Sequence, residues 1–321
     1  PPPPPPPVCC TQSLLWDERL DRASPPQPVA AGYSHTAFVN AEGSLLTCGV
    51  DEREEGVADY GYLGHGEGVA RLAVPTPVPS LQGVRIRSVS ASACHTLALS
   101  EAGAVWSFGF NDCGQLGHGD DTNVYVPKLV EALRSVCVAA VSAGNHHSLV
   151  LAASGGAYSW GAGLDGQLGH GDLVDQHTPK LIEALQTRVL SISAGDDHSM
   201  VLDEHGTVLT FGLGSFGRLG HGNTNNLLVP TPIPALIARA ISAGEVDSLV
   251  LSRDGSVFAF GDNANGQLGL GDREDRLTPT RIPGLPAVKA VSAGASHSLV
   301  VTCGGAVYSF GDGDSGQLGH G

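Results

Sequence analysis

Residues 89–119 read VSASACHTLALSEAGAVWSFGFNDCGQLGHG: an apolar run opened by a histidine, an aromatic-bearing run, and a turn bracketed by glycines. The same pattern returns at 144–172, at 192–222 (ISAGDDHSMVLDEHGTVLTFGLGSFGRLGHG), at 241–271 (ISAGEVDSLVLSRDGSVFAFGDNANGQLGLG) and at 291–321 (VSAGASHSLVVTCGGAVYSFGDGDSGQLGHG). A longer copy, AAGYSHTAFVNAEGSLLTCGVDEREEGVADYGYLGHG at 30–66, opens the series, which makes six. The glycine after the repeated leucine falls at Gly64, Gly117, Gly169, Gly220, Gly269 and Gly319, in steps of 53, 52, 51, 49 and 50. A period near fifty is too long for leucine-rich or ankyrin units and fits one propeller blade per unit.

Strand signals inside each unit are short. In the third unit they are HSLVL, then AYSWG, then a loop, then TPKLIEAL. The first is almost continuously apolar, which suits a strand covered on both faces of its sheet. Prolines at Pro127, Pro179, Pro230 or Pro232, and Pro279 mark the start of an outer, edge-like segment, where a missing N–H costs least.

The paired signatures S-A-G-x-x-H-[ST]-L and G-Q-L-G-H-G, six times over, resemble those of the regulator of chromosome condensation repeat family, whose members are seven-bladed β-propellers. The resemblance spans about 29–321 and implies an all-β propeller with six repeat units here, near 30–88, 89–140, 141–191, 192–240, 241–290 and 291–321. The sixth unit stops before its proline segment, so the ring is expected to be incomplete unless residues such as SPPQPVAAG at 24–32 close it. Residues 1–28 form a proline-rich leader, expected to be disordered, whose seven initial prolines favour polyproline II.

The chain has 321 residues, 41% hydrophobic, with 44 glycines and only 5% aromatics, so turns are many and large side chains few. Its formal net charge of −15 repels phosphates and anionic headgroups, which argues against direct nucleic-acid binding and against membrane attachment. The longest apolar runs fall short of a spanning helix, and the expected setting is soluble, cytoplasmic or nuclear. Seven cysteines, an odd number with no C-x-x-C, read as reduced thiols; they predict neither a metal cage nor a disulfide framework.

Two histidine columns run through the repeats: His35, His95, His147, His198 and His297, and then His65, His118, His170, His221 and His320. A residue repeated around a ring cannot converge with its copies on one ion, so each imidazole is read as holding a turn by local hydrogen bonds. The serines after the first column, such as Ser148 and Ser199, lack any feature that marks one copy as a nucleophile. No cofactor, metal or catalytic residue is therefore predicted, and GAGLDGQLG lacks the βαβ setting of a dinucleotide loop. The family includes an ultraviolet-B photoreceptor whose light-absorbing tryptophans follow S-A-G; Asn145, Asp196, Glu245 and Ala295 stand there in this chain, which excludes that mechanism.

Two departures from the repeat point to partner binding. The first unit carries 12 positions from Gly49 to Gly61 where the second has 5 from Gly109 to Gly114, so 7 residues are inserted; Asp51, Glu52, Arg53, Glu54, Glu55 and Tyr60 are the candidate contacts there. In the fifth unit Asp247 replaces the first-column histidine and, with Glu245, forms a carboxylate pair that would favour a basic partner or that marks a drifted unit. The expected function is a non-catalytic protein–protein interaction module that recruits partners by its loops, as part of a larger regulatory protein. The resemblance implies two alternatives: guanine-nucleotide exchange on a Ran-like small GTPase, for which the founding member uses an inserted wedge, and substrate recruitment for a ubiquitin ligase. The basic tail with which that founding member binds chromatin has no counterpart, because Arg19 and Arg22 are offset by Asp17, Glu18 and Asp21.

Overall fold

The structure, a computed structural model, describes residues 27–51 and 60–320. Most of the leader and Glu52, Arg53, Glu54 and Glu55 lie outside the described residues. Among the described residues, all regular elements longer than a single 3-10 turn are strands.

The strands form antiparallel blades. The first contains β1 (Val29–Ala31), β2 (His35–Val39), β3 (Leu45–Val50) and β4 (Arg71–Pro77). The second contains β5 (Ile86–Ala91), β6 (His95–Ser100), β7 (Val105–Gly109) and β8 (Val124–Leu129). The third contains β9 (Val138–Ala143), β10 (His147–Ala152), β11 (Ala157–Gly161) and β12 (Gln176–Leu181). Then follow β13 (Val189–Ala194), β14 (His198–Asp203), β15 (Thr207–Gly212), β16 (Leu227–Ala243), β17 (Asp247–Ser252), β18 (Val257–Gly261) and β19 (Arg276–Arg281), joined in that order. The last described blade is β20 (Val288–Ala293), β21 (His297–Thr302) and β22 (Val307–Gly311).

Two compact units make up the chain, one of residues up to Gly163 with Val174–Ile182, the other of Leu164–Leu173 with Glu183 onward. In the first unit, β1 and β2 pack on β5, and β5 and β6 pack on β9. In the second, β13 and β14 pack on β16, and β16 and β17 on β20. The apolar runs behave as their composition requires: β6, β10, β14 and β17 are buried at every position, so both of their faces are covered. The cores lie between successive blades, as where Leu97 and Val105 of one meet Val150 and Trp160 of the next. Burying each such aliphatic side chain stabilises by about 1.5–3 kcal/mol.

Three details differ from the expectation. Every full blade has a further strand, such as β5 or β13, ahead of its histidine; the boundaries at 88/89, 140/141 and 191/192 therefore fall inside strands. Its serine ties blades together: the Ala143 N–H donates to Ser90 Oγ, and the Ala243 N–H to Ser193 Oγ, both at 2.9 Å. Secondly, the prolines lie within the outermost strands, not at their starts. β7 pairs Ser107 with Lys128 and then Gly109 with Val124, so Pro127 sits in an irregularity of the ladder where no N–H is called for.

Thirdly, β16 is a single strand of 17 residues that pairs with β15 by its first half and with β17 by its second. Elsewhere a turn separates the corresponding strands, a 3-10 turn at Pro79–Leu81 and Glu131–Leu133. Here Pro230, Pro232 and Pro234 keep the residues before them extended, and the chain turns at Ala235, at φ 58, without leaving the strand.

Candidate partner-binding surface

Both histidine columns are joints of the scaffold. His35 Nε2 lies 2.8 Å from Thr96 Oγ1, His95 Nε2 2.7 Å from Ser148 Oγ, and His198 Nε2 2.9 Å from Ser248 Oγ, each reaching from one blade to the next. The Ser148 hydroxyl donates to the Gln115 carbonyl at 2.8 Å, and Ser248 donates to Arg218 at 2.9 Å, so each serine must accept from Nε2–H. A hydroxyl committed to a carbonyl is not poised as a nucleophile. The second column works within a blade: His118 Nε2 meets Ser107 Oγ at 2.9 Å, and that hydroxyl donates to the Leu116 carbonyl at 2.7 Å.

The glycine of S-A-G exists for this joint. A Cβ on Gly195 would stand 2.5 Å from His198 Cε1 and 2.4 Å from the Gly244 carbonyl oxygen, so only a bare Cα lets the imidazole lie across the backbone.

Burial without a charged partner lowers the His35 pKa from 6.5 to about 4, and burial with the neighbouring His147 and His146 lowers that of His95 to about 3. The unfolded chain takes up these protons near pH 6.5 and the folded chain does not, so stability is full above that pH and is lost as pH falls towards 4. Each ring contributes up to about 1.4 kcal/mol per pH unit in that window. Urea midpoints should fall steadily from about pH 6.5 downward, and His95→Gln should flatten the slope; an equal slope in the variant would refute the assignment.

Asp51 and Tyr60 close the base of the inserted segment. Asp51 is buried, its N–H donates to the Ala70 carbonyl at 2.7 Å, and the Tyr60 N–H donates to Asp51 Oδ1 at 3.1 Å. Tyr60 is half-buried and begins an aromatic row: it stacks on Tyr62 at 5.5 Å and meets the edge of Phe110 at 5.1 Å, and Phe110 meets His146 at 6.5 Å. Tyr60, Phe110 and His146 come from three successive blades and keep partly accessible rings at the loop end of the first unit. Beside them lie Asp112, exposed, and Cys113, whose thiol is pushed up to about 12 by burial and then by Asp112. That thiol stays protonated at neutral pH and is a poor nucleophile.

The two fifth-unit carboxylates do not share a surface. Glu245 is exposed in a turn, its N–H bound to the Gly294 carbonyl at 3.1 Å, whereas Asp247 opens β17 and is fully buried, so it offers no surface to a partner. Both carboxylate oxygens of Asp247 lack a hydrogen-bond partner, and burial, with Asp262 adding, holds its pKa well above the ordinary range. Arg218, which stands where four other copies carry glutamine, is buried in the same unit; its Nη1 donates to the Glu245 carbonyl at 3.1 Å. Phe110, His146 and Arg218 were not singled out by the sequence pattern; Phe110 and His146 stand at positions that vary from copy to copy, and Arg218 stands where four copies carry glutamine.

Blades of this order, joined by histidine-to-hydroxyl bonds, define a β-propeller of the repeat type. The chain belongs to the RCC1-like domain family, whose model matches residues 15–321. Among curated relatives, the E3 ubiquitin-protein ligase HERC2 of Mus musculus is 38% identical over 225 residues, 68% of this chain and 4% of that protein. The probable E3 ubiquitin-protein ligase HERC3 of Homo sapiens is 35% identical over 207 residues, 64% of this chain and 19% of that protein. The ultraviolet-B receptor UVR8 of Arabidopsis thaliana is 34% identical over 213 residues, 64% of this chain and 46% of the receptor. The chain thus spans less than half the length of each. Yeast RCC1 (Prp20), solved bound to Kap60, superposes with a TM-score of 0.78 at 23% identity, over 91% of this chain and 71% of that one. Human WBSCR16 does so with the same TM-score at 24% identity, over 92% and 80%. At those identities the structures show the shared fold.

Proposed function

We propose that this chain is a non-catalytic partner-binding propeller within a larger protein, and that its partner is another protein held by the loop end of the first unit. The observation that carries the reading is the row Tyr60–Phe110–His146, three partly accessible rings from three blades beside an insertion anchored by Asp51. Repeated structure explains the buried histidines and serines, but these rings depart from the repeat, and tyrosine is among the residues enriched at the hot spots of protein interfaces. Substrate recruitment for a ubiquitin ligase is the finer reading, favoured because HERC2 and HERC3 are matched at 38% and 35% identity. Exchange on a Ran-like GTPase is the second reading. It rests on the placement of the insertion and on the fold shared with Prp20p, which was itself studied for binding to Gsp1p and histones.

The test compares the chain with Tyr60→Ala, Phe110→Ala and a deletion of 52–59 in cross-linking pull-downs and in fluorescent-GDP release from Ran-family GTPases. Recruitment predicts partners that all three variants lose while GDP release stays at its intrinsic rate. Accelerated release, abolished by the deletion, would establish exchange instead. Partners retained by all three variants would overturn the placement of the surface.

A further inference from the structure

One cluster beside the aromatic row has no role in the scaffold. Asp112 and Cys113 lie in the turn after β7, and His146 lies in the turn before β10, so two neighbouring blades of the first unit bring them together. One oxygen, one sulfur and one nitrogen from these side chains all lie within 4.8 Å of one another. The Nδ1 of His146 is shielded from solvent, has no hydrogen-bond partner, and faces Asp112 Oδ1 at 3.7 Å.

The turn that presents Asp112 and Cys113 is held from behind. Asn111, fully buried, donates from Nδ2 to the carbonyls of Asp120 and Thr122, both at 3.0 Å, and accepts the Leu116 N–H at 2.8 Å. Gln115, also buried, accepts the Cys113 N–H at 3.0 Å and reaches Asp112 Oδ1 with its Nε2 at 3.4 Å. From the other side, the edge contact with Phe110 orients the His146 ring. Such supporting contacts are what a metal site needs to hold its ligands in one arrangement.

The trio also belongs to this one place. At the position of Cys113 the later copies carry Asp165, Phe216, Asn265 and Ser315; at that of His146 the other copies carry Ser34, Cys94, Asp197, Val246 and Ser296. Residues that maintained the fold would recur with the repeat, as the two histidine columns do; among the later copies Asp112 has one counterpart, Asp314, and Cys113 and His146 have none.

We propose that Asp112, Cys113 and His146 form a three-ligand site for a zinc-class divalent cation, with the fourth position open to solvent. The donor set is the mixed N, S and O set that zinc accepts, and a thiolate with an imidazole selects it over magnesium or calcium. Tetrahedral zinc sets its donors about 3.3–3.6 Å apart, so side-chain rotation within the present 4.8 Å closes the site without moving strands. The side chains of Asp112 and His146 are 50% and 25% exposed, which leaves the remaining position to water. On binding, the Cys113 S–H bond breaks, a metal–sulfur bond forms, and the proton passes to solvent, with no change of oxidation state. The inference stands on the cluster itself and does not depend on the partner reading above.

The test uses the full chain, reduced and stripped with chelator, then titrated with cobalt(II) chloride and back-titrated with zinc chloride. One cobalt per chain should bind with a sulfur-to-cobalt charge-transfer band and the visible absorption of a four-coordinate ion, and zinc should displace it. Cys113→Ser should remove the charge-transfer band, while Cys137→Ser should keep it. His146→Gln and Asp112→Asn should each weaken binding by at least ~10-fold, because removing a ligand exceeds the 10–100-fold cost of removing a supporting partner. Circular dichroism melts establish that each variant is folded. Absence of the band at a large excess of cobalt, its persistence in Cys113→Ser, or unchanged affinity in both His146→Gln and Asp112→Asn would overturn the proposal.

Discussion

Replacing Trp160 by alanine should destabilise the fold by about 3–5 kcal/mol, the usual cost of emptying a large aromatic site. Trp160 is fully buried in the core shared by the second and third blades, and its Nε1–H donates to the Gln115 carbonyl at 2.8 Å. Its ring lies against Gly117, where a Cβ would stand 2.8 Å from Nε1 and where φ is +78°, so the socket cannot collapse onto the void by substitution on the other side. The remaining blades show the remedy. Phe108, Phe211, Phe260 and Phe310 occupy the same site over Gly64, Gly169, Gly220 and Gly269. Trp160→Phe should therefore cost only ~1–2 kcal/mol, for the lost hydrogen bond and a smaller ring. Urea unfolding of both variants decides the matter: equal losses would mean that the glycine socket does not select an aromatic ring.

Asp247→His should work in the opposite direction, stabilising the protein by about 2 kcal/mol at neutral pH, the scale of an unsatisfied buried polar group. The carboxyl of Asp247 is raised well above its ordinary pKa, so above about pH 4 the unfolded chain ionises while the folded chain keeps its proton. Its contribution to stability is thus present at low pH and is lost as pH rises through the folded value. A histidine restores the joint found elsewhere: the Ser298 hydroxyl already donates to the Gln267 carbonyl at 2.9 Å, and its free lone pair can accept Nε2–H, as Ser248 does from His198. Gly244, whose Cβ would stand at Asp247 Oδ1, leaves the space that Gly195 leaves for His198. Asp247→Asn, with no added volume, should gain about half as much and remove the same pH slope. Thermal melts at pH 5 and pH 8 test this, and a lower midpoint for both variants at pH 8 would refute it.

The repeat made most of this architecture legible from the chain alone, because a histidine, a hydroxyl and two glycines recurring every fifty residues leave few arrangements in which each copy does the same work. What escaped were features with weak side-chain signals. The strands β5, β9 and β13 read IRSVSA, VAAVSA and VLSISA, whose small and polar residues neither alternate cleanly nor form an apolar run; in β5 and β13 a serine bonds to the next blade. Deviations from the repeat were visible, but not their direction. Asp247 is a surface carboxylate by composition and an interior one because β17 is covered on both faces, and pattern alone places Glu245 on the same side. Tyr60, Phe110 and His146 meet only because consecutive blades face one another, a proximity with no trace in linear spacing.

The long strand β16 alters how the second unit can lose its structure. Elsewhere a turn divides one blade's last strand from the next blade's first, so either can fray alone; here one backbone is the border of two sheets, irregular at Ala235 and where its pairing with β15 and β17 shifts register. Peeling that backbone away exposes amides on both sides at once, which makes the fourth and fifth repeats one cooperative piece, where sequence periodicity would count two.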